Sequence, residues 1–188
     1  AASRRGLIQA LGLFIGDSVS SYICSCCGES LEGLPTDFGY KLPDEVFELD
    51  YIEKYRRTRH NADLCTLDGK RFFIRGLLPV PFTHMEGDFA WGVWVEVDRE
   101  THDFYLGNFS EDNRGAKPAF GRVANRIPAH PDLGSEPVEI RFQDESSRPE
   151  FHLLPHSAHP LAREQHEGID AGGHHAYLVA AGHLRKDA

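Results

Sequence analysis

Three cysteines occupy positions 24–27 near the beginning of the chain: Cys24, Cys26 and Cys27, followed at once by Gly28. The Cys24–Cys27 pair has the Cys-x-x-Cys spacing that brings two thiolates onto one zinc ion. Glycine allows the tight turn in which backbone amides face the sulfur atoms. These residues therefore predict a zinc site, with Cys26 as an alternative to either member of the pair.

A zinc ion at this turn needs further ligands, because a structural site has four and a catalytic site has three plus an open position. Cys65, at the start of a predicted hairpin, is the expected third ligand, and His159, at a predicted helix start, is the expected fourth. Each has an alternative role, Cys65 as a small buried residue and His159 as a helix cap. Zinc bound in this way would clamp the N-terminal turn onto the sheet.

The cysteines also bear on the compartment of the protein. Disulfide frameworks belong to small secreted domains, whereas a chain of 188 residues can bury a core without them. We therefore expect reduced thiols and a cytoplasmic protein. Residues 1–21 offer the alternative of export, since two arginines precede an apolar run as in a signal segment. The preferred interpretation is a helical extension that packs Leu7, Leu11 and Phe14.

The charge of the chain narrows the choice of partner. There are 20 Lys and Arg residues against 29 Asp and Glu residues, a formal net charge of −9, with no basic block to offset it. A nucleic-acid partner is therefore not expected, because clustered Lys and Arg supply much of that affinity. A basic protein partner is compatible with this charge. No membrane association is expected, since no apolar run approaches the roughly 20 residues that cross a bilayer.

Local patterns predict the elements that position the candidate ligands. Helices are expected over residues 43–58, 99–109 and 159–166, where acidic residues, Pro and Gly stand at the ends that favour them. The C-terminal residues 171–188 are rich in Ala, Gly and His and are expected to be a tail that frays or docks as a strand.

Strand patterns occupy the middle of the chain. Asp68-Gly69 is a strong hairpin signal, and residues 76–82 extend the hairpin as an edge segment because they contain two prolines. Residues 88–97 predict a central strand with Trp91 and Trp94 on opposite faces. Residues 138–142 and 148–154 predict a second hairpin. The pattern indicates a single α+β domain whose antiparallel sheet has about four to six strands and short flanking helices.

Five dispersed blocks resemble the bacterial domain of unknown function called DUF2199. They are Cys24-Ser-Cys-Cys-Gly-Glu29, Asp63-Leu-Cys65 with Gly69-Lys-Arg-Phe-Phe-Ile-Arg-Gly76, Phe89-Ala-Trp-Gly-Val-Trp-Val95, Asn125-Arg-Ile-Pro128, and His159-Pro-Leu-Ala162 with the following Glu164-Gln165 and Gly168-Ile169. The resemblance covers residues 22–170 and implies a bacterial α+β domain, with residues 1–21 and 171–188 as additions. It implies no activity.

The function expected from these observations is non-enzymatic: a zinc-stabilised domain that binds a protein partner. The expected contact surface is a sheet face or the aromatic group Phe72, Phe73, Phe82 and Trp94. The alternative is a small hydrolase or a thiol-dependent enzyme that uses Cys26 or Cys65.

One motif represents the hydrolase alternative. Phe14-Ile-Gly-Asp-Ser-Val19 resembles the nucleophile block of GDSL-type hydrolases, in which the nucleophile would be Ser18. That chemistry needs a base to accept the hydroxyl proton, which such enzymes supply through a late Asp-x-x-His motif. Asp170 and His174 are one residue too far apart for it, so Ser18 is expected to be a turn or cap residue.

Overall fold

The computed structural model describes residues 21–24, 27–28 and 30–184, and a mixed sheet forms its centre. The strands of this part of the chain are β1 (Ser21–Ile23), β2 (Ser30–Glu32), β3 (Asp37–Gly39), β4 (Thr58–His60), β5 (Leu64–Leu67), β6 (Arg71–Pro81), β7 (Asp88–Val97), β8 (Ala119–Val123), β9 (Pro137–Arg141) and β10 (Glu150–Leu153). The helices are α1 (Asp44–Glu48), α2 (Tyr51–Arg57), α3 (Arg99–Gly107), α4 (Pro160–Glu167) and α5 (Ala171–Ala180), with a 3₁₀ turn at Leu133–Ser135.

Five of the strands close into a small barrel. The large sheet has the order β3-β7-β8-β9-β10-β6-β5-β4, and β7 also pairs with β6, so strands β6 to β10 form a ring. Most neighbours are antiparallel, but β3 pairs with β7 and β10 pairs with β6 in parallel. The predicted α+β class with flanking helices is correct, whereas the prediction of an antiparallel sheet is only partly right. Both parallel pairs join strands that are far apart along the chain, which hairpin signals cannot reveal.

The hairpin predicted at Asp68-Gly69 is present between β5 and β6. Leu67 pairs with Arg71, so the turn has three residues, and both Asp68 and Gly69 have positive φ (54° and 62°). Glycine adopts this left-handed conformation without steric cost. The hairpin predicted between 138–142 and 148–154 is also confirmed, as β9 and β10.

Strand β6 continues through the segment that was expected to be an edge. Residues Arg71–Pro81 form one strand, paired with β7 from Phe72 to Pro81. On the other side, the carbonyl of Pro79 accepts a hydrogen bond from the Gln165 amide, and the carbonyl of Pro81 accepts one from the Ile169 N–H. The prolines are tolerated because this side needs hydrogen-bond acceptors and no ladder donors.

Two hydrophobic clusters cover the two faces of the central strand. Trp91, Val93 and Val95 of β7 belong to the main core, whereas Trp94 packs with Val46 in a second cluster. Both tryptophans are fully buried. The prediction that they lie on opposite faces of a sheet covered on both sides is confirmed, and α1 contributes to the cover of the second face.

The helices begin and end near the residues that the sequence marks as helix ends. Residues 43–58 form two helices, because Leu49 is extended and Asp50 caps α2 by accepting a hydrogen bond from the Glu53 N–H. Helices α3 and α4 match the predictions for 99–109 and 159–166. No helix in the described part of the chain is long and apolar enough to span a membrane.

The C-terminal residues differ most from expectation. Ala171–Ala180 form α5, in which Tyr177 and Leu178 are buried in the main core. Asp170 caps this helix, since its side chain accepts a hydrogen bond from the Gly173 N–H at 2.8 Å. Capping and burial stabilise the helix although two glycines lie in its first turn.

Candidate metal centre

The turn that follows β1 holds the Cys-x-x-Cys pair. The N–H of Gly28 donates to the carbonyl of Cys24 at 2.9 Å, and Gly28 has φ of 74°, which favours glycine. Strand β2 pairs antiparallel with β1, with Ile23 opposite Ser30. The backbone therefore closes a compact knuckle between two short strands. Cys24 is buried and Cys27 is exposed.

Helix α5 brings a histidine to this knuckle. The Nδ1 atom of His175 lies 3.1 Å from the sulfur of Cys24 and 3.5 Å from the sulfur of Cys27. The three ligand atoms all lie within 4.8 Å of one another, and they form the one group of this kind found among the described residues. His175 and Cys24 are both buried, whereas Cys27 is exposed, so the group is open to solvent on the side of Cys27.

These distances fit a shared metal ion. With zinc–sulfur bonds of about 2.3 Å and zinc–nitrogen bonds of about 2.0 Å, tetrahedral geometry separates sulfur from nitrogen by about 3.5 Å. The distance of 3.5 Å from His175 to Cys27 matches that value, and the distance of 3.1 Å from His175 to Cys24 is somewhat shorter. Among the three described cysteines, no disulfide competes for the sulfurs. The group can therefore hold a metal ion with little rearrangement.

Tyr22 and His174 form a polar layer beside the thiols. The Nε2 atom of His174 donates to the carbonyl of Pro35 at 3.0 Å, which leaves Nδ1 to accept the hydroxyl of Tyr22 at 2.8 Å. Burial lowers the pKa of His174, which favours the neutral ring. Burial and the nearby sulfurs of Cys24 and Cys27 raise the pKa of Tyr22 to about 12. This layer ties β1 to α5 independently of a metal.

His84 lies against the same layer. Its ring is 4.6 Å from the Tyr22 ring and 5.6 Å from the His174 ring. Both ring nitrogens are buried, and neither has a hydrogen-bond partner among the described residues. Such a polar side chain is uncommon in a protein interior.

A second buried network holds α5 against α4. Glu164 accepts a hydrogen bond from the Tyr177 hydroxyl at 2.5 Å and lies 2.8 Å from Nε2 of His130. Burial alone would raise the pKa of Glu164, but these hydrogen bonds lower it below its ordinary value. Tyr177 follows His175 on the same helix, so this network helps to position the candidate ligand.

Cys65, the expected third ligand, lies elsewhere. It is fully buried on β5 and packs with Leu67, Phe73 and Trp94 in the second cluster. Burial raises the pKa of its thiol to about 12. The structure does not bring it to the Cys24–Cys27 pair, and its surroundings match the alternative of a small buried residue.

His159, the expected fourth ligand, caps α4. Its Nδ1 atom accepts a hydrogen bond from the Leu161 N–H at 3.2 Å, and burial lowers its pKa. Its ring lies 5.5 Å from that of His130. It is not a member of the cysteine group, and the alternative role of helix cap is the one that the structure shows.

The aromatic group expected at the surface lies mainly inside. Phe73 and Trp94 are fully buried, Phe82 is 9% exposed, and Phe72 is partly buried beside His102. These side chains form the core because β6 and β7 are covered on both faces. Phe73, Phe82 and Trp94 are therefore not accessible to a partner in this structure, and Phe72 is only partly accessible.

Several predicted features lie outside the described residues. They are Cys26 as an alternative ligand or nucleophile, Ser18 of the hydrolase-like motif, and Leu7, Leu11 and Phe14 of the expected N-terminal helix.

Comparison with known proteins identifies the family. A family model described as "Uncharacterized protein conserved in bacteria (DUF2199)" matches residues 23–169. The chain belongs to this family. The match confirms the DUF2199 resemblance, which was based on five dispersed blocks. No curated protein and no solved structure gives a significant match.

The candidate metal group straddles the limit of the DUF2199 match. Cys24 and Cys27 lie within the matched residues, whereas His175 lies beyond them. Sequence reasoning assigned His175 to a tail because residues 171–188 are rich in Ala, Gly and His. The sequence signal that could have placed His175 on a helix was the N-cap residue Asp170 ahead of an alanine-rich run, which predicts a helix start.

Proposed function

We propose that Cys24, Cys27 and His175 bind one zinc ion, and that the ion fastens the β1–β2 hairpin to α5. The observation that carries this proposal is the convergence of two sulfur atoms and one imidazole nitrogen within 4.8 Å. Cys24 and His175 are 151 residues apart in the sequence. A bound ion would therefore crosslink two distant segments of the DUF2199 protein.

The chemistry of the three ligands favours zinc. Thiolate and imidazole are typical ligands of zinc, whereas magnesium and calcium prefer oxygen. Zinc carries no redox chemistry of its own, so a site of this kind stabilises the fold or polarises a bound group. Cys24, Cys27 and His175 would supply three of the four ligands that a structural zinc ion needs.

We infer that the domain binds a protein partner and is not an enzyme. Support for a non-catalytic role comes from the position of the proposed zinc ion, which would join a hairpin to a helix. The thiol enzyme alternative is weakened at Cys65, because a fully buried thiol with a raised pKa is a poor nucleophile. We place the protein in the cytoplasm, where the thiols of Cys24 and Cys27 stay available for a metal.

Metal analysis of untagged protein tests the zinc site. We expect about one zinc per chain, lost in Cys24→Ser and His175→Ala and retained in Cys65→Ala, the matched cysteine control. Thiol titration should show Cys27 masked before chelation and reactive afterwards. Protein that is free of metal after growth in zinc, with Cys27 reactive from the start, would contradict the proposal.

A further inference from the structure

An aromatic and apolar surface lies on α1 and α2, on the side of the sheet that ends at β4. Phe47, Tyr51, Ile52 and Tyr55 are 60%, 83%, 59% and 76% exposed. None of the residues of α2 is buried. Large apolar side chains that are grouped on a surface are typical of an interaction site, whereas single ones are ordinary.

An open groove of about 850 Å³ runs between α2 and β4. Tyr51 and Tyr55 line it together with Lys54, Arg56 and Arg59. Strand β4 is the last in the order of the large sheet, so only one of its edges is paired with a described strand. The groove therefore combines aromatic rings, positive charge and a sheet edge.

The three cations of the groove have no carboxylate partner among the described residues. Arg57 on the same helix differs, since it forms ion pairs with Glu53 and Asp68. The Lys54 ammonium donates to the carbonyl of Phe47 at 2.7 Å, and the Arg59 guanidinium donates to the carbonyl of Thr58 at 2.7 Å. A chain of net charge −9 thus has a local patch of uncompensated positive charge.

We propose that this groove binds an acidic segment of another protein. Carboxylates of the segment face Lys54, Arg56 and Arg59, and its apolar side chains cover Tyr51 and Tyr55. The inference rests on the proposed binding role and names the partner by its chemistry. Charge complementarity of this kind sets specificity and speeds association.

Other occupants fit the charges less well. Residues 1–20 carry Arg4, Arg5 and Asp17 as their only charged side chains, so that segment would bring like charge to the groove. A nucleic acid would stack on the tyrosines, but the net negative charge of the whole protein opposes its approach. An acidic polypeptide whose carboxylates alternate with apolar anchors has a lower charge density than a nucleic acid, so it meets less of that repulsion while it matches the patch.

Fluorescence anisotropy with the full chain tests the groove. The probe is a labelled peptide in which Asp and Glu alternate with Leu and Phe, and its counterpart has Asn and Gln in place of the acids. We expect the acidic probe to bind and the Asn/Gln peptide to bind at least about tenfold more weakly. Arg56→Glu combined with Arg59→Glu should weaken the acidic probe about tenfold or more, and Tyr55→Ser should weaken it several-fold.

Matched controls lie on another surface of the protein. Phe120, which is 55% exposed on β8, and the exposed Lys117 are replaced in Phe120→Ser and Lys117→Glu, and neither change should alter binding. Equal binding of the acidic and Asn/Gln peptides would overturn the inference. Tighter binding of an oligothymidylate, or a concentration-dependent dimer that Arg56→Glu abolishes, would overturn it in favour of those occupants.

Two further measurements separate this inference from the proposed function. Zinc content is determined on the same preparations. If the acidic peptide does not bind but the protein contains one zinc per chain, the groove is rejected and the zinc site is retained. A photo-crosslinker is then placed at Tyr55 or at Phe120 in a bacterial host. An acidic protein crosslinked only from Tyr55 supports the groove, whereas a partner crosslinked only from Phe120 overturns the groove and leaves the binding role intact.

Discussion

At the scale of single residues, two cysteines of this protein differ because of where the backbone places them. Cys27 is exposed in the knuckle, beside His175. Cys65 is fully buried among apolar side chains, and burial raises the pKa of its thiol to about 12. Since the thiolate is the reactive form, the two thiols should differ greatly in reactivity.

We expect Cys65 to stay unlabelled by iodoacetamide at pH 8 in the native, chelated protein, while Cys27 reacts. A pKa of about 12 leaves only about one thiol in ten thousand ionised at that pH, and burial blocks access. Because the pKa of Cys65 is raised in the folded state, its protection from labelling persists at pH values below the ordinary thiol pKa. This protection declines as the pH rises toward 12. Peptide mapping by mass spectrometry measures both sites. Native-state labelling of Cys65 at the rate of Cys27 would show that the burial described here is wrong.

At the scale of elements, the barrel depends on a close approach between β6 and β10. A Cβ atom added to Gly76 would lie 2.5 Å from the Cζ atom of Phe151 and would also strike the carbonyl of Pro149. Phe151 is fully buried in the main core, so it has no space into which to move. Gly76 therefore permits β10 to lie parallel to β6, where Glu150 pairs with Leu77.

Gly76→Ala should lower the free energy of unfolding by about 3 kcal/mol, as other overpacked core substitutions do. Urea denaturation followed by tryptophan fluorescence measures the change. Gly107→Ala is the control, because Gly107 ends α3 and nothing lies within 4 Å of an added Cβ. Alanine there should be neutral or stabilising by about 0.5 kcal/mol. Equal effects at the two positions would contradict the barrel closure.

At the scale of the whole molecule, the proposed zinc site connects segments that the large sheet does not join. Strands β1 and β2 form a separate two-stranded sheet. The contacts described between β1 and α5 are the hydrogen bond from Tyr22 to His174 and their stacked rings. A two-stranded hairpin is marginal in water by itself, and these few contacts add little to it, so its stability should depend largely on the metal.

Chelation should therefore lower the melting temperature by about 10 °C. An ion present at about a thousand times its dissociation constant adds about 4 kcal/mol to a domain of this size. Differential scanning calorimetry in zinc and in chelator measures the shift, and Cys24→Ser should melt at the chelated temperature in both conditions. Hydrogen exchange should locate the loss of protection at β1, β2 and α5. A melting temperature independent of zinc in the native chain would exclude the clamp.

Much of the sheet was predictable because its signals are local. Asp68-Gly69 indicated the β5–β6 hairpin, and alternation placed Trp91 and Trp94 on opposite faces of β7. Proline, glycine and acidic residues marked the ends of α4 and the start of α1. Turn and helix-end preferences depend on a few neighbouring residues, so a single chain is enough to find them.

The sequence by itself determined the Cys24–Cys27 pair, because the spacing of two ligands three residues apart is a local property of a turn. Only the tertiary structure decided that His175 completes the group, that Cys65 lies in the core, and that the barrel closes through parallel pairs. Residues 151 positions apart meet only through packing. That packing results from the burial of many side chains together, and no short pattern records it.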